Sequence, residues 1–365
     1  MRHCIKCAMP DTRPGTPFND KGVCQACLNF EKRKKIDWEK RKEELKKLCA
    51  KYRRNDGYYD CLIPVSGGKD SHFQVHTMKE EMGMNPLLIT VDNPFTKSKA
   101  GVHNLRNLSD AFACDHILYT MSIPLFKKVT RIAFEEFGEP LRYIETAIVT
   151  VPYKMAIKLK IPLVVYGESE HEYGSYKEGA MINDFIIQKF KRIGLNFWRK
   201  KGFGLKELNA IIPPAEKKKP EVIALSYFVP WSSTKNLAIA KRYGFRDLTH
   251  EWRREGYIDD FEQIDSLGYL VHLWLKYPKF GFQRTSDIAS RRVRERNLSL
   301  SEAKKFIIEN DHKLDQRTLD DFINCLGYTS KQFWDIVEKF WNRKLFKKVD
   351  GIWKLKDNVY KDLRE

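Results

Sequence analysis

The fold is decided by the stretch Tyr59-Asp60-Cys61-Leu62-Ile63-Pro64-Val65-Ser66-Gly67-Gly68-Lys69-Asp70-Ser71, in which a short apolar run leads into a Ser-Gly-Gly turn. The apolar run predicts a buried strand, and residues 70–82 have the pattern of a helix. Two glycines let the backbone approach an anion closely and turn its N–H groups toward it. Because the positive end of the following helix points to the same place, this turn is predicted to bind phosphate.

The polar side chains of this loop have distinct predicted roles. Ser66 and Ser71 can donate hydroxyl hydrogen bonds to phosphate oxygens. Asp70 would repel bare phosphate, so its expected role is to hold a Mg²⁺ ion that bridges the phosphates. Lys69 either adds a positive charge or faces solvent. The loop is not a Walker loop, which requires Gly-x-x-x-x-Gly-Lys-Ser/Thr.

Apolar strands alternate with amphipathic helices after this loop, which predicts a five-stranded parallel sheet covered on both faces. The predicted strands are residues 59–65, 87–91, 116–119, 163–166 and 225–229, and the helices are residues 99–112, 124–137, 146–159 and 235–243. Ligands of such sheets bind at the carboxyl ends of the strands. The Ser-Gly-Gly loop, Asp92 and Gly167-Glu168 all fall at that edge.

The rest of the chain is divided by its composition. We predict a turn-rich unit at 1–30, a charged linker helix at 31–56, an α/β domain at 57–250 with a basic insertion at 172–222, and a helical domain at 251–365. Within the last region, Ser299 and Glu302 have the spacing of a capping box before a helix.

Four of the eight cysteines form two pairs, Cys4/Cys7 and Cys24/Cys27, with 16 residues between them. Two Cys-x-x-Cys pairs at this distance predict a four-thiolate structural zinc site, although an iron–sulfur cluster remains an alternative. A unit of about 30 residues has little apolar core, so metal binding would supply most of its folding free energy.

Charge and hydropathy narrow the function classes. The net charge of +18 attracts polyanions such as nucleotides, or else serves only solubility. The chain has no apolar run long enough to span a membrane and no apolar signal segment at its start, so we expect a cytoplasmic protein.

The loop at 66–71 resembles the PP-loop of the N-type ATP pyrophosphatases, which include the argininosuccinate, asparagine and GMP synthetases and the tRNA-thiolating enzymes. The resemblance implies that ATP is cleaved between its α and β phosphates while the loop, with Gly67 and Gly68, holds the departing pyrophosphate. It also implies that the end of the second strand, at Asp92, and the turn at Gly167 contact the nucleotide. A plain strand-terminating turn at Asp92 is the alternative.

Further blocks resemble the N-acetyl sugar amidotransferases of bacterial lipopolysaccharide O-antigen and nonulosonic acid biosynthesis. The blocks are 4–14, 22–27, Gly167-Glu168-Ser169 with Glu172-Tyr173-Gly174, Phe228-Val229-Pro230-Trp231 and Lys276-Tyr277-Pro278-Lys279-Phe280-Gly281-Phe282. They follow in order along nearly the whole chain, and Ala8 is a departure where the family has a larger aliphatic residue. This resemblance implies that an N-acetyl group of a nucleotide-linked sugar becomes an acetamidino group.

The same resemblance implies partners and further site residues. Ammonia would come from a separate glutaminase resembling the small subunit of imidazole glycerol phosphate synthase, with a cyclase-like barrel as a possible relay. Glu168 and Glu172 would orient ammonia or take its protons, or else sit in a polar turn, and Lys235 would touch the triphosphate. The substrate-binding residues would be Arg284, Asp287 and Arg292, with a solvated helix face as the alternative for Arg292.

Two rival functions remain. A tRNA-thiolating enzyme also combines Cys-x-x-Cys knuckles with a PP-loop, and a basic surface suits RNA. Such enzymes carry a further catalytic cysteine pair, whereas Cys61 and Cys114 each stand alone here. A basic, metal-bearing RNA-binding module without catalysis is the second rival, and nucleic acid is not the expected partner.

Overall fold

A five-stranded, fully parallel sheet forms the centre of the computed structural model, which describes residues 1–167, 181–183, 194–216 and 219–364. The strands lie in the order β3-β2-β1-β4-β5. Their bounds are β1 Cys61–Pro64, β2 Pro86–Asp92, β3 His116–Thr120, β4 Leu163–Tyr166 and β5 Glu221–Ala224. The order reverses at β1, so the topological switch point lies directly beside the loop that follows this strand.

Both faces of the sheet are buried at its central strand β1, as the apolar run predicts. Leu62 lies in one hydrophobic cluster with helices of the C-terminal half, and its neighbours Cys61 and Ile63 lie in another with the linker region. Alternation of adjacent strand residues between two clusters is the geometry of a sheet with both faces covered. The predicted α/β class with a five-stranded parallel sheet is confirmed.

Helices surround the sheet and continue beyond it. Their bounds are α1 Gln25–Arg33, α2 Trp38–Tyr52, α3 Lys69–Val75, α4 Lys99–Phe112, α5 Ile123–Phe137, α6 Arg142–Lys158, α7 Leu195–Lys200, α8 Ser233–Arg242, α9 Tyr269–Trp274, α10 Lys276–Phe280, α11 Arg284–Arg294, α12 Leu300–Asn310, α13 Gln316–Leu326, α14 Ser330–Val337 and α15 Lys361–Arg364. The C-terminal region also contains a hairpin, β6 Phe346–Val349 with β7 Ile352–Leu355. The capping box of Ser299 and Glu302 is present at the start of α12.

The predicted fifth strand at residues 225–229 is wrong. The strand is β5, and Leu225–Tyr227 forms a 3-10 helix instead. The partner strand β4 ends opposite Ala224, so no ladder remains to continue the strand. The sequence stays apolar beyond the end of β5 because Leu225 and Phe228 still pack into the core where the chain turns away from the sheet.

Two other expectations about helices are corrected. The single charged linker helix expected over residues 31–56 is two helices. The first, α1, begins within the cysteine unit, and α2 begins where Asp37 accepts a hydrogen bond from the Lys40 amide at 3.0 Å. The helix after the phosphate loop is α3 followed by a π-helical turn, His76–Glu81.

The helices beyond residue 250 share a core with the sheet. One buried cluster contains Leu62 and Ile89 of the sheet together with Phe322 and Phe333 of α13 and α14. The region after residue 250 therefore packs as a wall on the α/β layer. In the described residues, no helix has both the length and the apolar composition needed to cross a membrane.

Gly101 marks a close contact between the α/β region and the region after residue 250. A Cβ atom at this position of α4 would lie 2.6 Å from the Cα and 2.7 Å from the carbonyl oxygen of Asp265. Overpacking of this kind costs about 1–3 kcal/mol, more than the roughly 1 kcal/mol that Ala gains over Gly inside a helix. We expect Gly101→Ala to lower the free energy of unfolding in urea by up to about 2 kcal/mol.

The matched control is Gly204→Ala. At Gly204 the nearest atom to the added Cβ is a Glu207 carboxylate oxygen at 3.9 Å. The free energy of unfolding of Gly204→Ala should therefore differ little from that of the wild type. Equal stability of both variants would contradict the close contact at Gly101.

Candidate active site and cysteine cluster

A cavity of about 920 Å³ lies at the carboxyl ends of the strands. Its walls are the loop after β1, the end of β2, the end of β4, helices α4 and α6, and the 261–265 segment of the C-terminal region. The predicted loop residues Ser66, Gly67, Gly68, Lys69, Asp70 and Ser71 all line it, together with Asp92 and Gly167. The fold therefore brings the predicted nucleotide-binding residues to one cavity.

The loop is shaped by hydrogen bonds of its own residues. The Ser71 hydroxyl accepts a hydrogen bond from the Ser66 amide at 2.9 Å. Gly67 has φ of +86°, and a Cβ there would lie 3.0 Å from the Leu105 amide nitrogen of α4. Glycine is required at this position both by the backbone conformation and by the approach of α4.

Asp70 and Lys69 form a pair at the floor of the cavity. The Lys69 ammonium lies 2.7 Å from one carboxylate oxygen of Asp70, and the Asn236 side-chain amide donates to the other at 2.7 Å. Lys69 itself is buried and also lies 3.0 Å from Glu262. Of the two roles considered for Lys69, exposure to solvent is excluded.

Glu262 is the residue that sequence reasoning missed. This buried carboxylate contacts Lys69, Arg284 at 3.3 Å and Arg291, and accepts a hydrogen bond from the Ser233 hydroxyl at 2.7 Å. Burial alone raises the pKa of Glu262, but its cationic neighbours hold this pKa well below the usual value. The signal in the sequence was the acidic segment 259–265, although no motif spacing distinguished Glu262 within it.

The opposite wall carries a second polar group and an apolar surface. The Asp92 carboxylate lies 2.6 Å from the Lys97 ammonium. Burial raises the pKa of nearby Asp265, which also lines the cavity. Leu118 and Ile148 line the same cavity while more than a third exposed, so they offer an uncovered apolar surface.

The close packing around Gly167 explains why this turn has no side chain. A Cβ at Gly167 would lie 2.8 Å from the Trp231 ring and 3.0 Å from the Gln74 side-chain amide. Both Trp231 and Gln74 line the cavity. Glu168 and Glu172, predicted to act on ammonia, lie outside the described residues.

The predicted substrate-binding residues of α11 do not line this cavity. Arg284 donates to the Gln263 side chain at 2.7 Å, and Arg292 lies 3.6 Å from Asp259. Asp287 is buried between Arg13 and Lys276, each at 2.9 Å. Arg284 and Arg292 thus contact the 259–263 segment rather than the inside of the cavity. Direct contact of the three predicted residues with substrate stays a prediction.

Lys235, predicted to touch the triphosphate, is exposed on α8 and is not among the residues that line the cavity. The residue of α8 that reaches the cavity floor is Asn236, through its hydrogen bond to Asp70. A catalytic role for Lys235 stays a prediction.

The four predicted metal ligands converge in the N-terminal unit. The sulfur atoms of Cys4, Cys7, Cys24 and Cys27 are buried and lie within 4.8 Å of one another. The Cys7–Cys24 and Cys4–Cys27 sulfur distances are 3.6 and 3.9 Å. Four thiolates about 2.3 Å from a tetrahedral Zn²⁺ would lie about 3.8 Å apart, so the cluster fits zinc.

A cation completes the surroundings of this cluster. The Arg294 guanidinium of α11 lies 3.5 Å from the Cys7 sulfur. A positive charge beside four thiolates offsets part of the net negative charge that they would carry around a divalent ion. The cysteine unit is therefore linked to the C-terminal helices through its metal ligands.

Residues 253–360 match the family model described as the C-terminal domain of the WbpG-like LPS biosynthesis protein. Over 180 residues, 48% of this chain, the sequence is 26% identical to the uncharacterized protein MJ1599 of Methanocaldococcus jannaschii. That alignment covers 63% of the relative's length. The C-terminal region is thus similar to a family of lipopolysaccharide biosynthesis proteins.

The comparison with solved structures gives matches of lower sequence identity. The NH3-dependent NAD synthetase of Campylobacter jejuni is 18% identical with a TM-score of 0.30, covering 57% of this chain and 93% of its own. The U34-tRNA thiolase NcsA of Methanococcus maripaludis, solved with its [4Fe-4S] cluster, is 14% identical with a TM-score of 0.31, covering 81% and 87%.

Removal of the Glu262 charge tests the buried network. Glu262→Gln leaves Lys69, Arg284 and Arg291 without their shared carboxylate, and we expect a loss of about 3–5 kcal/mol in unfolding free energy at pH 7. Because the folded pKa of Glu262 is depressed, its stabilisation is present above the unfolded pKa near 4.5 and is lost as pH falls below it.

Urea unfolding between pH 3 and pH 7 measures both effects. The difference between wild type and Glu262→Gln should shrink below about pH 4. Glu43→Gln, an exposed carboxylate on α2 paired with Lys46, is the control and should behave like wild type. A constant difference at all pH values would refute an ionised Glu262.

Replacement of one thiolate tests the metal cluster. We expect wild-type protein to contain one zinc ion per chain and Cys24→Ser to lose it, together with the folding of residues 1–30, since the metal supplies that unit's folding free energy. Metal analysis and absorption spectra distinguish zinc from an iron–sulfur cluster. Cys325→Ser, outside the cluster, is the control; undiminished zinc in Cys24→Ser would rule out this ligand set.

Proposed function

We propose that the protein is an ATP-dependent amidotransferase that converts an N-acetyl group of a nucleotide-activated sugar into an acetamidino group. The pathway would be bacterial surface polysaccharide or nonulosonic acid biosynthesis. The observation that carries the proposal is the loop 66–71, seated after β1 on a cavity at the carboxyl edge of a parallel sheet. The match of residues 253–360 to a lipopolysaccharide biosynthesis family supports the choice of acceptor.

The loop backbone and the hydroxyls of Ser66 and Ser71 would hold the β and γ phosphates of ATP. Asp70 would hold Mg²⁺, which when bound offsets the charge of the leaving pyrophosphate. The Asp92 carboxylate would accept hydrogen bonds from the nucleoside, and the exposed apolar side chain of Leu118 offers a surface for a purine ring.

The reaction would proceed in two displacements. The amide oxygen of the acetamido group attacks the α phosphorus of ATP, its P–O bond forms, and the bond to the pyrophosphate leaving group breaks. Ammonia then adds to the activated carbon and loses a proton. The C–O bond breaks, and AMP leaves carrying the former amide oxygen. Adenylation is needed because an unactivated amide oxygen is a poor leaving group.

Ammonia would be supplied by a separate glutaminase, with a cyclase-like barrel as a possible relay. A proton must leave the nitrogen after it attacks, and Glu168 and Glu172 are the proposed acceptors. Lys235 would have to move from its exposed position on α8 to reach the triphosphate.

Sulfur transfer to tRNA is less well supported. A persulfide relay needs an accessible thiolate, and burial raises the pKa of both Cys61 and Cys114. Among the described residues, no cysteine lines the cavity.

The products identify the chemistry. Purified protein with ATP, Mg²⁺, an ammonium salt and a nucleotide-linked N-acetyl sugar should release AMP and pyrophosphate. With ¹⁸O in the acetamido oxygen, the label should appear in AMP, as mass spectrometry can establish. ADP as the product, or AMP without label, would refute adenylation of the amide.

Asp70→Asn tests the proposed Mg²⁺ ligand. Because the loss of one charge-stabilising group costs roughly 10²-fold in rate, we expect AMP formation to fall by that order and to require more Mg²⁺. Asp335→Asn, an exposed carboxylate on α14 paired with Lys331, is the control and should retain wild-type activity. An unchanged rate in Asp70→Asn would remove Asp70 from the site.

A further inference from the structure

A second cavity, of about 410 Å³, lies where three parts of the chain meet. It is lined by Arg13 and Pro14 of the cysteine unit, by residues 139–146 at the start of α6, and by α9 and α10 with the segment that follows them. This cavity contains none of the nucleotide-binding residues predicted from the sequence.

The second cavity shares two of its helices, α6 and α9, with the first. On α6, Glu145 lines the second cavity, while Ile148 and Pro152, three and seven residues further on, line the first. On α9, Tyr269 lines the first and His272, three residues on, lines the second. Such spacings place side chains on one helix face, so α6 and α9 each present one face to both cavities.

The second cavity is rich in cations. Its lining contains Arg13, Arg142, Lys276 and Lys279, against the carboxylates of Glu139 and Glu145. Burial lowers the pKa of the Lys279 ammonium, and the nearby Glu139 carboxylate offsets part of this effect. Two arginines also provide the planar donors that bind phosphate oxygens bidentately.

Two carboxylates, the buried Asp287 and the half-buried Glu139, hold these cations in place. Asp287 binds both Arg13 and Lys276, each at 2.9 Å, and Glu139 lies 3.2 Å from Arg142 and 3.6 Å from Lys279. The cations are thereby ordered before a ligand arrives, which reduces the entropy cost of binding.

We propose that the second cavity binds the phosphate or diphosphate group of the nucleotide-linked acceptor. From Glu145 to Pro152 the helix rises about 10 Å, so one elongated molecule can place its anionic end here and its amide in the first cavity. The His272–Glu145 pair, 3.0 Å apart, stands at the junction that the molecule would pass. The identity of the acceptor and the placing of its amide rest on the proposed function, whereas phosphate binding by the second cavity does not, because it needs no ATP.

The probe is UDP, added to the full-length protein without ATP. Hydrogen–deuterium exchange should slow in residues 139–146 and 272–282 and remain unchanged in residues 66–71. Protection of residues 66–71 alone would overturn the inference. Inorganic phosphate is the second arm; equal affinity for phosphate and UDP would show a free-phosphate site and overturn the assignment to the acceptor.

Arg142→Gln and Lys279→Gln should each weaken UDP binding about tenfold or more, measured by calorimetry, because each removes a charge-assisted hydrogen bond. Arg54→Gln is matched to Arg142: the side chains are 31% and 35% exposed, each pairs with a nearby carboxylate, and each lies over an aromatic ring. Lys331→Gln, exposed and paired with Asp335, is the control for Lys279.

Equal UDP affinity in all four variants would overturn the inference. If UDP binding behaves as expected but ATP gives ADP, the proposed function fails and the phosphate site stands. If AMP forms normally while UDP protects neither segment of the second cavity, the phosphate site fails and the proposed function stands.

Discussion

The rest of the site depends on one buried ion pair, between Lys69 of the phosphate loop and Glu262 of the C-terminal region. Both side chains are shielded from water, so the separation of either from its partner carries a large desolvation cost. The interaction joins a loop of the α/β layer to a segment almost 200 residues away in sequence. It therefore determines where the wall of the cavity sits relative to the loop, and Arg284 and Arg291 hold Glu262 in place.

This arrangement explains why the sequence predicted one half of the cavity and not the other. The loop 66–71 and Asp92 follow strands, and parallel strands bring their carboxyl ends to one edge, so their meeting could be inferred from local patterns. Glu262 and Asp265 lie between helices, where no periodicity fixes their position. The failed strand at residues 225–229 has the same origin, since an apolar run indicates burial but does not say which backbone conformation achieves it.

The cysteine unit, residues 1–30, makes specific contacts with the C-terminal region. The spacing of the cysteines alone predicted that the four thiols come together. It did not predict where the cysteine unit packs on the C-terminal region. His3 contacts Asp362, Arg13 contacts Asp287, and Arg294 approaches Cys7, so several polar contacts attach the unit to the C-terminal region. A metal that folds residues 1–30 would consequently also position Arg13 in the second cavity, although the metal lies outside both cavities.

The two cavities differ in the balance of charged side chains in their linings. Among the described residues, the lining of the first contains three cations (Lys69, Lys97 and Arg106) and five carboxylates (Asp70, Asp92, Asp110, Glu262 and Asp265). A triphosphate would meet net negative charge there, so its binding calls for a divalent cation in addition to the loop amides. The second cavity has four cations against two carboxylates in its lining and needs no such ion. This difference in charge would direct a magnesium nucleotide and a metal-free phosphate ester to different cavities.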